Sequence, residues 1–133
     1  MQDYRKLRVW HLARDLTLNV IEGLPDRVAR KVPGLRAQAI RAATSVGANL
    51  AEGCSRATRP ELLHFAEIAL GSLNELDAHL LLARDAGVLA ECEYTRLQGH
   101  IVHVRRMLLS LLRTIQRRIA EDASARSKAE ASP

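Results

Sequence analysis

Residues 58–87 read TRPELLHFAEIALGSLNELDAHLLLARDAG, and the spacing of their apolar side chains decides the fold. Leu62, Ala66, Ala69, Leu73, Leu76, Leu80 and Ala83 recur at alternating intervals of four and three, the repeat that holds one stripe of a helix against its neighbours. Thr58 and Glu61 open the segment as a capping box: the hydroxyl accepts from the backbone three residues on, and the carboxylate reaches back. Gly87 stands where a left-handed C-terminal residue belongs. The outward side carries Ile68, Gly71 and Leu82.

The same period extends in both directions. A first helix over Leu7 to Gly23 repeats Trp10, Ala13, Leu16, Val20 and Leu24, and Gly23 followed by Pro25 stops it. A loop is predicted from Pro25 to Gly34. A second helix, Leu35 to Gly53, carries Leu35, Ala39, Ala42, Val46, Asn49 and Gly53 toward the core. The fourth, Glu91 to Arg118, carries Leu97, Ile101, Val104, Leu108, Leu111 and Ile115, with Ala90 at the N-cap, where Ser or Asp would add about 1 kcal/mol. No segment alternates as a half-buried strand does. Short connections make successive helices antiparallel, so the expected architecture is an all-α, up-down-up-down four-helix bundle over residues 1–119. Beyond Ile119 no apolar period continues, and residues 120–133 are expected to form a disordered tail.

Composition agrees. With 133 residues, 47% hydrophobic and 26% charged, the chain fits one domain, and 21 Leu and 20 Ala against four aromatic residues favour helices over strands. The longest stretch without a charge, Ala42 to Ala51, is half of what a membrane span needs, about 20 residues. The N-terminal residues lack an apolar signal region, and two cysteines make no disulfide framework, so the expected compartment is the cytoplasm. The net charge of +5 is uneven: residues 58–88 sum to −3 between basic neighbours.

Motifs for catalysis are weak. Glu61 and His64 have the Glu-x-x-His spacing of di-iron bundles, but the chain offers no second copy, and a capping Glu beside a surface His accounts for them. His100, His103 and Cys92 lack a fourth zinc ligand at structural spacing. No Gly-rich phosphate loop or nucleophile elbow occurs. The sequence therefore calls for no metal, no cofactor and no enzymatic activity.

Three other patterns remain. Ala37, Ile40, Thr44, Gly47 and Ala51 give the second helix a back face of small and apolar residues, where a surface helix would be charged; with Gly71 and Leu82 they form a candidate interface between copies of the chain. Ser45, Asn49, Glu52, Ser72 and Glu75 are polar groups on or beside the apolar stripes. A helix-to-helix hydrogen-bond network is the default for them, and a ligand pocket the alternative. On the fourth helix His103, Arg106, Ser110, Arg113 and Arg117 share a face opposite the core, flanked by Arg105 and Arg118. Residues 105–118 sum to +5 with no acid, and the row from Arg106 to Arg117 runs about 16 Å. Such a row can follow several phosphates of RNA or DNA, or can be a merely solvated cationic face.

Leu7-Arg8-Val9-Trp10, Gln38-Ala39-Ile40-Arg41-Ala42-Ala43, Ser45 to Gly53, and Ala69 to Leu76 resemble, in order and spacing, the four-helix-bundle protein family. It is also called the rRNA intervening-sequence protein family, because some members are encoded inside insertions in large-subunit rRNA genes. The resemblance covers residues 4–117. It implies a cytosolic bacterial bundle assembled as a homo-oligomer, a ring of five, with no established enzymatic activity, and it adds weight to the five polar motif positions. A distant cousin resembles a basic, nucleic-acid-binding partner of a reverse transcriptase in diversity-generating retroelements. Ala90, where such sequences often carry Ser or Thr, departs from the pattern. A protein-binding scaffold with no nucleic-acid role is the alternative function.

Overall fold

The computed structural model describes residues 2–132. A single 3₁₀ turn, Tyr4–Lys6, leads into α1 (Arg8–Gly23), followed by α2 (Asp26–Lys31), α3 (Leu35–Cys54), α4 (Arg59–Asp85) and α5 (Glu91–Ala131). The four long helices are the four read from the sequence. They form an antiparallel bundle in which α1 packs on α3, α3 on α4, α4 on α5 and α5 back on α1, leaving α1 and α4 diagonal. Leu16, Leu50, Leu73, Leu76, Leu80, Leu97, Ile101 and Leu108 are completely shielded from solvent at its centre, each contributing about 1.5–3 kcal/mol by leaving water.

The caps follow the local chemistry. Thr58 Oγ accepts from the Glu61 amide at 3.3 Å, and Gly87, at φ +75°, turns the chain out of α4 while Val88 donates back to Ala83. Ala90 gives α5 no side-chain cap, as its methyl group requires.

Three departures have physical causes. The predicted loop at 25–34 contains α2, six residues long and too short to show a period; its fully buried Val28 plugs the end of the bundle, and Lys31 donates to the Ala86 carbonyl at 2.7 Å. On α5 the buried residue after Leu108 is Leu112, with Leu111 only half-buried. There the packing partners are Ala66, Leu62 and Leu63 of α4, so α5 turns toward that helix alone. The third concerns the tail. Instead of ending near Ile119, α5 runs to Ala131, because Ala, Glu, Arg and Lys are strong helix formers and no Gly or Pro interrupts them. Residues 120–131 are exposed, and Asp122 ties this extension to Arg59 at the start of α4.

Candidate nucleic-acid interface

The five cations of the fourth-helix row separate once α4 is in place. Arg105 points toward α4 and donates to Asp77 at 2.9 Å and to Asn74 at 3.1 Å; Asp77 also accepts from Gln98 at 2.5 Å. This cluster joins two helices and occupies Arg105, so Arg105 is a structural residue and leaves the candidate interface. Arg118 turns away from the row and lines a cleft where the α3–α4 connection meets α5. Arg106, Arg113 and Arg117 stay exposed on the outer face with His103 and Ser110. Among the described residues Arg106 and Arg113 have no ion-pair partner, and Arg117 meets Glu121 only at 3.7 Å, both side chains being about two-thirds exposed. Exposed Leu109 stands between Arg106 and Arg113, and exposed Val102 one turn before Arg106.

The polar motif positions divide likewise. Ser45 Oγ and Ser72 Oγ lie 2.9 Å apart across α3 and α4, and Asn49 donates to the Ser45 hydroxyl at 2.9 Å and to its carbonyl at 2.8 Å. This closes a three-residue network in which each group satisfies another, the arrangement that a half-buried hydroxyl or amide needs. Glu52 stands apart, accepting from Arg56 at 2.5 Å near the end of α3, and Glu75 pairs with His79 at 3.3 Å on the outside of α4. The five positions do not line one pocket.

The small-residue face also has an internal explanation. Ala37 and Thr44 are exposed, whereas Ile40, Gly47 and Ala51 are half-covered by the first helix. A methyl group on Gly47 would sit 3.4 Å from the indole nitrogen of Trp10, in ordinary van der Waals contact, so Trp10 of the same subunit already packs beside this glycine. An apolar groove of about 370 Å³, bounded by Tyr4, Trp10 and Leu18 on one side and by Gly47, Ala48 and Ala51 on the other, runs along this seam. Gly71 and Leu82 do not line it; they lie on α4, diagonal to α1, with open space above Gly71 and Leu82 52% exposed. The interface read from sequence as one patch is two separate surfaces.

Sequence reasoning missed Asp77, Gln98, Asn19 and Arg96. Arg96 bonds Asn19 of α1 at 2.6 Å and pairs with Glu93, whose carboxyl its guanidinium hydrogen bond holds below the usual range. Among the described residues no group of three His, Cys, Asp or Glu side chains is placed to hold a metal. Burial pushes the Cys54 thiol upward, away from the thiolate a nucleophile needs. Among the described residues no helix is long and apolar enough to cross a membrane.

An all-helical bundle with a cationic outer face on α5 defines the class. The chain belongs to the 23S rRNA-intervening sequence protein family, whose pattern it matches over residues 5–110. It is similar in fold to a protein of unknown function from the S23 ribosomal protein family of Bacteroides thetaiotaomicron: TM-score 0.71, 20% identity, 78% of this chain and 97% of that one covered. No curated protein matches. Neither the family nor that neighbour indicates an enzyme class.

Proposed function

We propose that this protein is a non-enzymatic, cytoplasmic homo-oligomer that binds the backbone of RNA or DNA through the outer face of α5. The observation that carries the proposal is the exposed row of Arg106, Arg113 and Arg117, which no acid of α4 reaches although α4 is the acidic helix of the bundle. Its neighbour Arg105 shows the contrast, its charge being spent on Asp77. The Arg117–Glu121 contact is a loose surface pair of the kind that contributes little and gives way to a phosphate. The family name refers to a sequence intervening in 23S rRNA, which makes RNA the first polyanion to test. Repetition of the row around a ring, five subunits by resemblance, would widen the basic surface. Exposed Ile68 beside the open Gly71, and exposed Leu82 about three turns further along α4, supply apolar area for such assembly.

Each phosphate contact releases about one counterion, so the log–log slope of affinity against salt should be about −0.7 to −0.9 per contact. Replacing Arg106, Arg113 and Arg117 together with Gln should flatten that slope by about 2 to 3 per binding subunit, with helicity and mass unchanged, in anisotropy titrations with unrelated RNA and DNA oligomers. If the unaltered protein binds neither polymer at micromolar concentration in low salt, the face is simply solvated and the protein is a scaffold. Assembly is read separately by light scattering of Leu82→Glu, which should lower the mass. Gly47→Glu does not separate assembly from folding, because Gly47 lies beside Trp10 of the same subunit.

A further inference from the structure

We propose that the cleft between the α3–α4 connection and the last turns of α5 is a second, independent site, one that takes a phosphate monoester. The cleft holds about 810 Å³, within the range of small-molecule sites, and four arginines converge on it: Arg56, Arg59, Arg118 and Arg126. Two are already compensated. Arg56 bonds Glu52 and stacks over the Phe65 ring at 4.8 Å, and Arg59 holds both oxygens of Asp122 at 2.5 and 2.6 Å. Arg118 and Arg126 line the cleft from one side of α5, two turns apart, and have no ion-pair partner among the described residues.

The chemistry of the ligand follows from charge and shape. Two uncompensated guanidiniums match a dianion, and a phosphate monoester carries close to two charges at neutral pH, whereas a carboxylate or a diester linkage carries one. Guanidinium forks pair with phosphate oxygens in two parallel hydrogen bonds, which a point charge does not reproduce. Leu62, Leu111 and Ile115 line part of the same space, giving the cleft an apolar wall beside its arginines. Thr114 adds a hydroxyl. No aromatic side chain lines the cleft, so it has no stacking platform for a base, and the phosphate itself is what it recognises. The group can arrive on a free nucleotide or at the 5′ end of a nucleic-acid strand, and both sources present the same chemistry.

The test uses adenosine 5′-monophosphate against adenosine, and one RNA oligomer with a 5′-phosphate against the same oligomer with a 5′-hydroxyl. Binding to the full chain is measured by calorimetry and anisotropy. At least one phosphorylated probe should bind more tightly than its counterpart, and Arg118→Gln with Arg126→Gln should weaken it about tenfold or more. Both residues are exposed, so the variant should keep its helicity. The triple Arg106, Arg113 and Arg117 variant should retain the preference for phosphate, which keeps this site distinguishable from the α5 row. Preference for the phosphorylated oligomer alone assigns the strand end; binding of the mononucleotide assigns a free nucleotide. Equal binding of both members of each pair, or a phosphate preference that survives the double substitution, overturns the proposal.

Discussion

Two glycines on adjacent helices should respond in opposite directions to the same added methyl group. At Gly53, near the end of α3, that methyl would lie 3.0 Å from Cβ of Phe65, 3.0 Å from Cδ1 of Leu62 and 3.4 Å from the Leu62 carbonyl. The leucine tip can rotate away, but Cβ of Phe65 moves only if the α4 backbone moves. Gly53→Ala therefore forces the helices apart by a few tenths of an ångström, an overpacking cost of about 1–3 kcal/mol against a helix-propensity gain of about 1 kcal/mol. At Gly71 nothing lies within 4 Å, so Gly71→Ala should realise the propensity gain alone. The gap between the two variants, about 1–3 kcal/mol, measures the close approach of α3 and α4 with intrinsic propensity cancelled. Urea unfolding followed by circular dichroism, at one fixed protein concentration, would read it. A Gly53→Ala protein as stable as Gly71→Ala would refute the close crossing. A Gly71→Ala protein that loses both stability and mass would instead show that another copy covers that face.

Removing Asp77 should act on structure and binding together. Asp77→Ala strips the acceptor from Gln98 and Arg105 and should cost about 1–2 kcal/mol in urea unfolding, while the freed Arg105 should steepen the salt dependence of RNA binding by about 0.7–0.9. Because Arg96 lowers the Glu93 carboxyl below its ordinary range, the stability this pair supplies is complete above the unfolded pKa of about 4.3 and is lost as pH falls through the folded value. The advantage of the unaltered protein over Glu93→Gln should accordingly narrow below about pH 4 in acid titrations, and a constant difference would refute the assignment. Truncation after Ala120 should leave the melting temperature nearly unchanged, since those residues bury no apolar side chain and give up only the surface Asp122–Arg59 pair, yet should lower the helical signal by about three turns; an unchanged signal would show that the extension is not helical in solution.

The bundle was legible because its signal is periodic and redundant. Seven apolar positions from Leu62 to Ala83 specify one stripe, and no single misplaced residue can move it. What failed was local or terminal. Val28 has apolar residues four away on each side, Leu24 and Val32, but both lie outside the six residues of α2 and Pro25 and Pro33 bracket the segment, so it reads as a loop although Val28 is among the most buried side chains. Leu111 and Leu112 are both leucine, and only the identity of the helix alongside decides which turns inward. In the tail, the missing apolar stripe correctly indicated that nothing packs there, but helix formation does not require packing when propensity runs unbroken to Ala131.

The candidate site was less legible, for a reason that Arg105 and Arg106 illustrate. The two are adjacent and identical, and both stand in a run of residues 105–118 that contains no acid. That run looked uniformly free because the compensating carboxylate, Asp77, belongs to another helix 28 residues earlier. The antiparallel crossing of α4 and α5 brings Asp77 to Arg105 and leaves Arg106, one position further around the helix, in solvent. Arg118 and Arg126 are the converse case: eight residues apart, with Arg126 inside the presumed tail, they are collected into one cleft only because α5 continues past Ile119. Net charge thus counts three kinds of arginine as one. Some fasten α5 to its neighbours, some project outward along α5, and some converge on a concave site at its end. Only the last two are available to a phosphate, and the helix pairing decides which arginines they are.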